Sequence, residues 1–375
     1  MIAKTHPVVS VREAVLFVAC EVSRREWKLA LTSGFGVRPW LRTIAAGDLA
    51  AVARVIAEAR RRFGLAAGVQ VVSCYEAGRD GFWIHRALVA QGVANRVVDS
   101  SSIEVNRRAR RAKTDRLDAV KLVQMLVRAW CGEQTVWSEV RVPTAAAEAA
   151  RQVSRERTAL TREHTRLLNQ MRGWLATWGT TLPPTRRGAW WASVRDWAGA
   201  ALPASLQARL ARASERVALV LAQRATLDAA QQACVRAAPA ESALARLVQL
   251  KGVAATSAAV LLDEGLLWRE FRNRREIGGC LGFTPTPYAS GDTTHEQGIS
   301  RAGNNRLQVI SIQLAWSWVL WQPQSALSRW YGARFGVGKR ARRIGIVALA
   351  RKLVIALWRY ATTGVAPTGA ILKVA

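Results

Sequence analysis

The chain has 375 residues, room for two or three ordinary domains and far too many for a stapled mini-protein. Half of the residues are hydrophobic, so each domain can bury a core, and a wholly disordered basic tail is excluded. Lys and Arg number 55 against 26 Asp and Glu, a formal charge of +29; self-repulsion of that size calls for a polyanion, nucleic acid first and an anionic membrane surface second.

The five cysteines (Cys20, Cys74, Cys131, Cys234, Cys280) are scattered, odd in number and without metal-ligand spacing, so they read as buried, reduced thiols. The N-terminus shows no apolar core followed by a small-residue cleavage site. The most apolar late stretch, Ile344–Trp358, is broken by Arg351 and Lys352 and is too short for a bilayer. These features predict a soluble, cytoplasmic protein.

Along the chain, Val15–Cys20 and Trp27–Leu31 read as two strands joined by a polar turn. Leu49–Phe63 has apolar residues at helical spacing, Val69–Val72 is a further strand, Phe82–Ala90 a helix and Val93–Val98 a strand. Lys113–Val127 closes this part as an amphipathic helix with Leu117, Val120, Leu122, Val123 and Leu126 on or near one face. The alternation predicts an α/β domain with a mixed sheet. After Val142-Pro143 the character changes: Ala145–Trp178 is a long charge-laced helix, 180–205 a Pro-, Gly- and Trp-rich insertion read as a loop, and 205–238 a second helix packing back on the first. From Leu247 a third, helical unit follows.

Carboxylates fall where a metal site would need them. Glu21 and Glu76 each end a predicted strand, and Asp115 and Asp118 sit three apart on one helix face. Unpaired, four such groups would repel one another; divalent cations relieve that, and hard oxygen ligands suit Mg²⁺, with Mn²⁺ as the substitute. Singly, a Glu after a strand is usually a solvated loop residue, and DxxD is common on helices. The setting distinguishes the set, because Arg107, Arg108, Arg110, Arg111, Lys113 and Arg116 surround DxxD, as metal-assisted chemistry on a phosphodiester requires.

The third unit opens with Leu250–Leu262, a Gly252-containing turn running into a small-residue helix. It reads either as a phosphate-holding helix-hairpin-helix with Lys251 on its turn, or as a plain helix start with Thr256 or Ser257 near the cap. Pro285 and Pro287 bar a helix over 282–292, and Ser290-Gly291 can form an exposed turn. A serine there is ordinarily a turn former; as a nucleophile it would need charge relief, for which Arg301 and Arg306 are candidates. After Glu296 there is no Asp or Glu but twelve Lys and Arg, among them Lys339, Arg340, Arg342 and Arg343, a one-signed stretch fit for phosphate contacts. The sixteen tryptophans can stack on unpaired bases, though most read as packing residues.

EVSRREWKLAL, CYEAGRDGFW, RRARRAKTDRLDAVKL, LKGVAATSAAVLLDE, GFTPTPYASGD and ISRAGNNRLQ, in that order, resemble the DEDD-type transposases of bacterial insertion sequences, family one-hundred-and-ten, also called bridge-RNA-guided recombinases. The likeness covers about residues 14–130 and 245–362. It implies a RuvC-like domain of RNase H fold over 1–135, a helical coiled-coil linker with a loop insertion over 136–243, and a helical C-terminal transposase domain over 244–375. Carried over by motif, Glu21, Glu76, Asp115 and Asp118 are the Mg²⁺-holding tetrad and Ser290 the nucleophile, with Ser257 and Ser300 as fallbacks. Glu21 stands where the family usually has Asp. The resemblance further implies a covalent phosphoserine on cut DNA, a composite site across protomers of a dimer or tetramer, and a structured guide RNA that selects donor and target DNA. The expected location is cytoplasmic, at the nucleoid when DNA-bound.

Two other classes compete. A metal-dependent junction-resolving nuclease would use the carboxylates alone and leave no covalent adduct. An inactive relative, spoiled at Glu21, would bind nucleic acid without cutting it.

Overall fold

The computed structural model describes residues 14–79, 81–103, 115–133, 135–290, 293–300 and 302–373, with backbone alone at 101, 115, 287–290 and 293–297. The chain divides into two compact units, Met1–Pro143 and Thr144–Ala375. The helical middle and the C-terminal helices therefore share one unit.

In the first unit five strands form one sheet: β1 (Val15–Val22), β2 (Glu26–Thr32), β3 (Trp40–Ala45), β4 (Gln70–Glu76) and β5 (Ala94–Val98). Their order is β3-β2-β1-β4-β5. The β1–β2 and β2–β3 pairs are antiparallel, and β1–β4 and β4–β5 are parallel. The apolar run of β1 lacks polar alternation because it is buried on both faces. Leu16, Val18 and Cys20 pack with α1 (Leu49–Arg62) and α2 (Trp83–Ala90) through Val52, Val55, Ile56, Ile84 and Leu88. Val15, Phe17 and Ala19 point the other way, onto Ala119, Leu122, Val123 and Leu126 of α3 (Asp115–Trp130). At its start, α1 is capped by Asp48, whose carboxylate accepts from Ala51 N at 2.8 Å.

Two expectations need correction here. Leu117, expected on the apolar face of α3, is 51% exposed. The strand β3 was not anticipated: as the sheet's edge it is half-exposed, carries Arg42 and Thr43, and lacks the dense apolar run that announces a central strand.

The second unit opens on a hairpin of two long helices, α4 (Ala145–Ala176) and α5 (Ala204–Ala237). They run antiparallel: Arg157 pairs with Asp228, whereas Arg209 stacks over Trp174 at 3.9 Å. Leu160, Leu167, Met171 and Leu175 meet Leu206, Leu210, Ala213 and Val217 along the seam. The connecting segment, expected as a loop, closes the open end of this seam. Trp190 is buried in it and donates its indole N–H to Ser214 Oγ at 3.0 Å. Here the tryptophans act as packing residues, while Trp197 stays 80% exposed.

Beyond the hairpin come α6 (Ala243–Gln249), α7 (Ala255–Leu261), α8 (Arg274–Cys280), the strands β6 (Pro285–Ser290) and β7 (Thr293–Ile299), and the helices α9 (Asn305–Trp321), α10 (Ala326–Phe335) and α11 (Lys339–Thr363). Their core is built on Trp318, Leu314, Leu349, Leu353 and Leu357. The hairpin β6–β7 was expected as a loop because of its prolines; they bar a helix but are tolerated in an edge strand, and the register slips between Pro285 and Pro287.

Cys20 and Cys74 are buried as expected, but Cys234 is exposed. Among the described residues no helix is long and apolar enough to cross a membrane. Leu167, wholly buried in the α4–α5 seam, sets a test of that packing. Leu167→Ala is expected to cost about 2–5 kcal/mol, read as a lower urea midpoint at unchanged slope.

Candidate active site and nucleic-acid interface

The parallel register of β1 and β4 places Cys20 opposite Tyr75, so Glu21 and Glu76 follow as neighbours at the carboxyl ends of both strands. Alternation assigns their face. Val15, Phe17 and Ala19 on one strand, and Val72 and Cys74 on the other, pack toward α3; Glu21 and Glu76 continue those two series. Cys74 Sγ lies 3.9 Å from Leu122 O, which fixes α3 over this part of the sheet. One turn earlier on α3, Asp118 is half-buried beside the sheet-facing Ala119. Asp115 opens the helix, and its side chain lies outside the described residues. On the other side of β1, Lys28 of β2 sits directly across from Glu21.

Glu21 and Glu76 line a hollow of about 430 Å³ together with Ser23, Arg24, Arg79 and Gly81. Ligands of open α/β sheets bind at this place, beyond the carboxyl ends of parallel strands. Two adjacent carboxylates flanked by arginines suit a hard divalent cation on a phosphate. Among the described residues, no three His, Cys, Asp or Glu side chains stand close enough together to hold a metal ion.

Ser290 is the last residue of β6 and pairs with Thr293 as the final rung of the hairpin; its side chain lies outside the described residues. Of the two fallback serines, Ser257 is half-buried within α7 and Ser300 is exposed at the hairpin base, its hydroxyl 3.5 Å from Gly282 O.

The basic candidates divide. Lys339, Arg340, Arg342 and Arg343 form the exposed first turn of α11, where no acid is present. Cations at a helix N-terminus oppose the helix dipole, and both attract an anion. Lys251 is exposed with its ammonium 5.7 Å from the Trp321 ring centre. Lys251 N donates to Ile371 O and Val253 N to Leu250 O, so these two N–H groups are spent within the fold. Neither Thr256 nor Ser257 is the cap of α7; Ala254 holds that place. Arg107, Arg108, Arg110, Arg111, Lys113 and Arg301 lie outside the described residues.

Arg306 is placed differently from the expectation of a phosphate ligand. Its Nε stands 2.8 Å from Glu264 Oε1, and Nη2 donates to Ser154 O and Thr158 Oγ1, both at 2.9 Å. Glu264 is completely buried in a π-helical turn, Leu262–Leu266, and its two oxygens also accept from Arg155 Nε and Nη2, each at 3.0 Å. Asn304 Nδ2 donates to Oε2 at 3.1 Å. Burial pushes Glu264 up, but Arg155, Asn304 and Arg306 outweigh it and hold the carboxyl below its ordinary value. Burial, then the neighbouring Glu264 charge, pushes Asp263 up to about 6, against the pull of Arg151. Sequence reasoning missed this cluster. Its one signal was Asp263-Glu264 inside an apolar run, the only acids among Ala254–Leu267.

Residues 244–329 match the transposase IS116/IS110/IS902 family. Over 96% of this chain and 94% of the relative, the sequence is 40% identical to a Sinorhizobium fredii NGR234 protein described as a transposase, y4rJ. The chain belongs to this transposase family. A second transposase-described protein of the same organism, y4qE, is 27% identical over 94% of the chain and 90% of its own length. A Pseudomonas aeruginosa PAO1 protein described as a family 20 transposase is 29% identical over 58% of the chain and 65% of its own. The family match spans the hairpin that carries Ser290 and, of the buried cluster, Glu264, Asn304 and Arg306, while Arg155 lies outside it.

Because the folded pKa of Asp263 lies above its ordinary 3.8, the native state binds the proton more tightly and stability falls as pH rises from about 4 to about 6. Asp263→Asn removes that penalty. The variant is expected to be more stable than the parent above pH 6 and equal to it below pH 4, as read from thermal midpoints across pH.

Proposed function

We propose that this chain is a DNA transposase that cuts and rejoins donor and target DNA through a covalent phosphoserine at Ser290, guided by a structured RNA. One observation carries the reading: Glu21 and Glu76 are neighbours at the carboxyl ends of a parallel strand pair, on the side of the sheet that packs against α3. The strand order β3-β2-β1-β4-β5, with three antiparallel strands followed by two parallel ones, supports an RNase H-like, RuvC-like first domain. Mg²⁺, or Mn²⁺ in its place, held by Glu21, Glu76, Asp118 and Asp115, would offset their repulsion and stabilise charge on a phosphate oxygen.

In this reading the Ser290 hydroxyl attacks phosphorus. The Oγ–P bond forms, the P–O3′ bond breaks, the serine proton leaves, and the departing 3′-oxygen takes up a proton. The phosphodiester energy stays in the protein–DNA link, so a new 3′-hydroxyl can reverse the step without ATP. The exposed basic turn of α11 holds backbone phosphates, and a charge of +29 serves RNA and DNA together. Sequence choice falls to base pairing with the RNA, as in other guided systems. The homo-oligomer, dimer or tetramer, and the guide RNA rest on the family resemblance.

Asp118→Ala or Glu76→Ala is expected to abolish recombination while leaving nucleic-acid binding nearly intact; an unfolded variant would mark these carboxylates as structural. Ser290→Ala is expected to remove the protein–DNA adduct formed with labelled donor DNA, with mass mapping placing the adduct of the parent on Ser290. Cutting without any adduct would favour the junction nuclease, and binding without cutting an inactive relative. RNA and DNA affinity is expected to fall steeply and linearly on a log–log plot against salt; a flat response would exclude phosphate-dominated binding.

A further inference from the structure

The hairpin β6–β7 is a two-stranded sheet with no third strand among the described residues. Such a hairpin is marginal by itself, so the direction in which its tip points is set by what holds its base. On the outgoing side Phe283 is buried in the core, its N–H donating to Gly278 O and its carbonyl accepting from Arg351 Nη1, and the returning side is bound to that segment. Ser300 N, on the returning strand, donates to Thr284 O at 2.9 Å on the outgoing one. Gly303 follows with φ +144°, so close to the outgoing segment that a Cβ there would lie 2.6 Å from Cys280 O and 2.8 Å from Gly282 N. Next, Asn304 N donates to Cys280 O at 2.9 Å.

Asn304 is the hinge pin of this arrangement. Its Oδ1 accepts from Arg306 N and Leu307 N at 2.9 and 3.2 Å, capping α9. That leaves the amide Nδ2 free to reach Glu264 Oε2 at 3.1 Å. Glu264 is itself immobilised by the bidentate Arg155 of α4. The hairpin base is thereby tied to the longest rigid elements of the unit, through the Asn304 amide and, two residues on, through Arg306 Nη2 on Ser154 O and Thr158 Oγ1 of α4.

We propose that the Glu264–Asn304 contact is a positioning device that fixes the hairpin base and, through it, the placement of Ser290 for attack on DNA. The proposal rests on the reading of Ser290 as nucleophile. Asn304 and Glu264 act as positioning residues and touch no reacting atom. In the family-matching segment, the Gly303-Asn304 pair then has a physical purpose: Gly303 permits the close approach and Asn304 locks it.

The test uses the full-length protein with RNA transcribed from the DNA flanking the gene and a labelled duplex spanning the end of that element. Asn304→Asp keeps an oxygen for the α9 cap but turns the contact into two facing carboxylates. Asn304→Ser keeps a hydroxyl for the α9 cap and the net charge but has no amide to reach Glu264. Asn304→Asp is expected to slow adduct formation by about tenfold to a hundredfold at unchanged DNA affinity, with faster hydrogen exchange confined to 281–300. Asn304→Ser is expected to show the same slowing and the same confined exchange. Parent-like adduct formation in either variant, or exchange that quickens across the whole unit, would overturn the proposal while leaving the Ser290 reading intact. A parent that forms no adduct at Ser290 would end both.

Discussion

A carboxylate with no water around it has to be answered by donors, and Glu264 draws them from two separate places in the chain. Arg155 comes from the middle of α4, and Asn304 and Arg306 from the start of α9. Glu264 itself sits on a turn wound one residue too wide for an α-helix. Removing one partner from such a cluster leaves an uncompensated buried charge, which is far more costly than the pair is beneficial. The α4–α5 hairpin and the C-terminal helices are consequently one unit, although their sequences look unlike each other. Arg306 belongs to this cluster as well, its Nε 2.8 Å from the buried carboxylate.

The first unit depends on a different constraint, the alternation of side chains along β1 and β4. Because both faces of the sheet are covered, every residue from Val15 to Cys20 is apolar, and the first ionisable group after the covered stretch is Glu21. In β4 the buried stretch Val71–Tyr75 includes one polar residue, Ser73, and Glu76 follows it directly. Burial thus pushes the acids to the strand ends, and the parallel register brings the two ends side by side.

The central strands and long helices were legible because their apolar periodicity is strong: β1, α1 and the α4–α5 pair fall where the spacing of Val, Leu and Ile puts them. Glu21 and Glu76 could be placed at strand ends for that reason. Elements whose stability comes from elsewhere were not legible. The edge strand β3 is held by its neighbour β2, and β6–β7 by its base, so neither needs the sequence pattern of a buried strand. The Trp-rich connection looked like a loop because its composition favours turns, while its structural role is set by the single side chain of Trp190 entering the α4–α5 seam. Glu264 was invisible since its partners lie 109 and about 40 residues away, a separation no local pattern encodes. The internal partners of Arg306 were not legible either, because a cation beside a Gly-Asn turn gives no sign of whether a buried acid stands near it.

The alternation in β1 has a consequence for how this family can drift in length. Inserting or deleting one residue between Val15 and Glu21 would rotate the terminal acid to the side covered by α1 and α2, whereas a change of two would return it to its original side, shifted along the strand. Gene variants that differ here by odd numbers should therefore be purged, and tolerated ones should keep an even count.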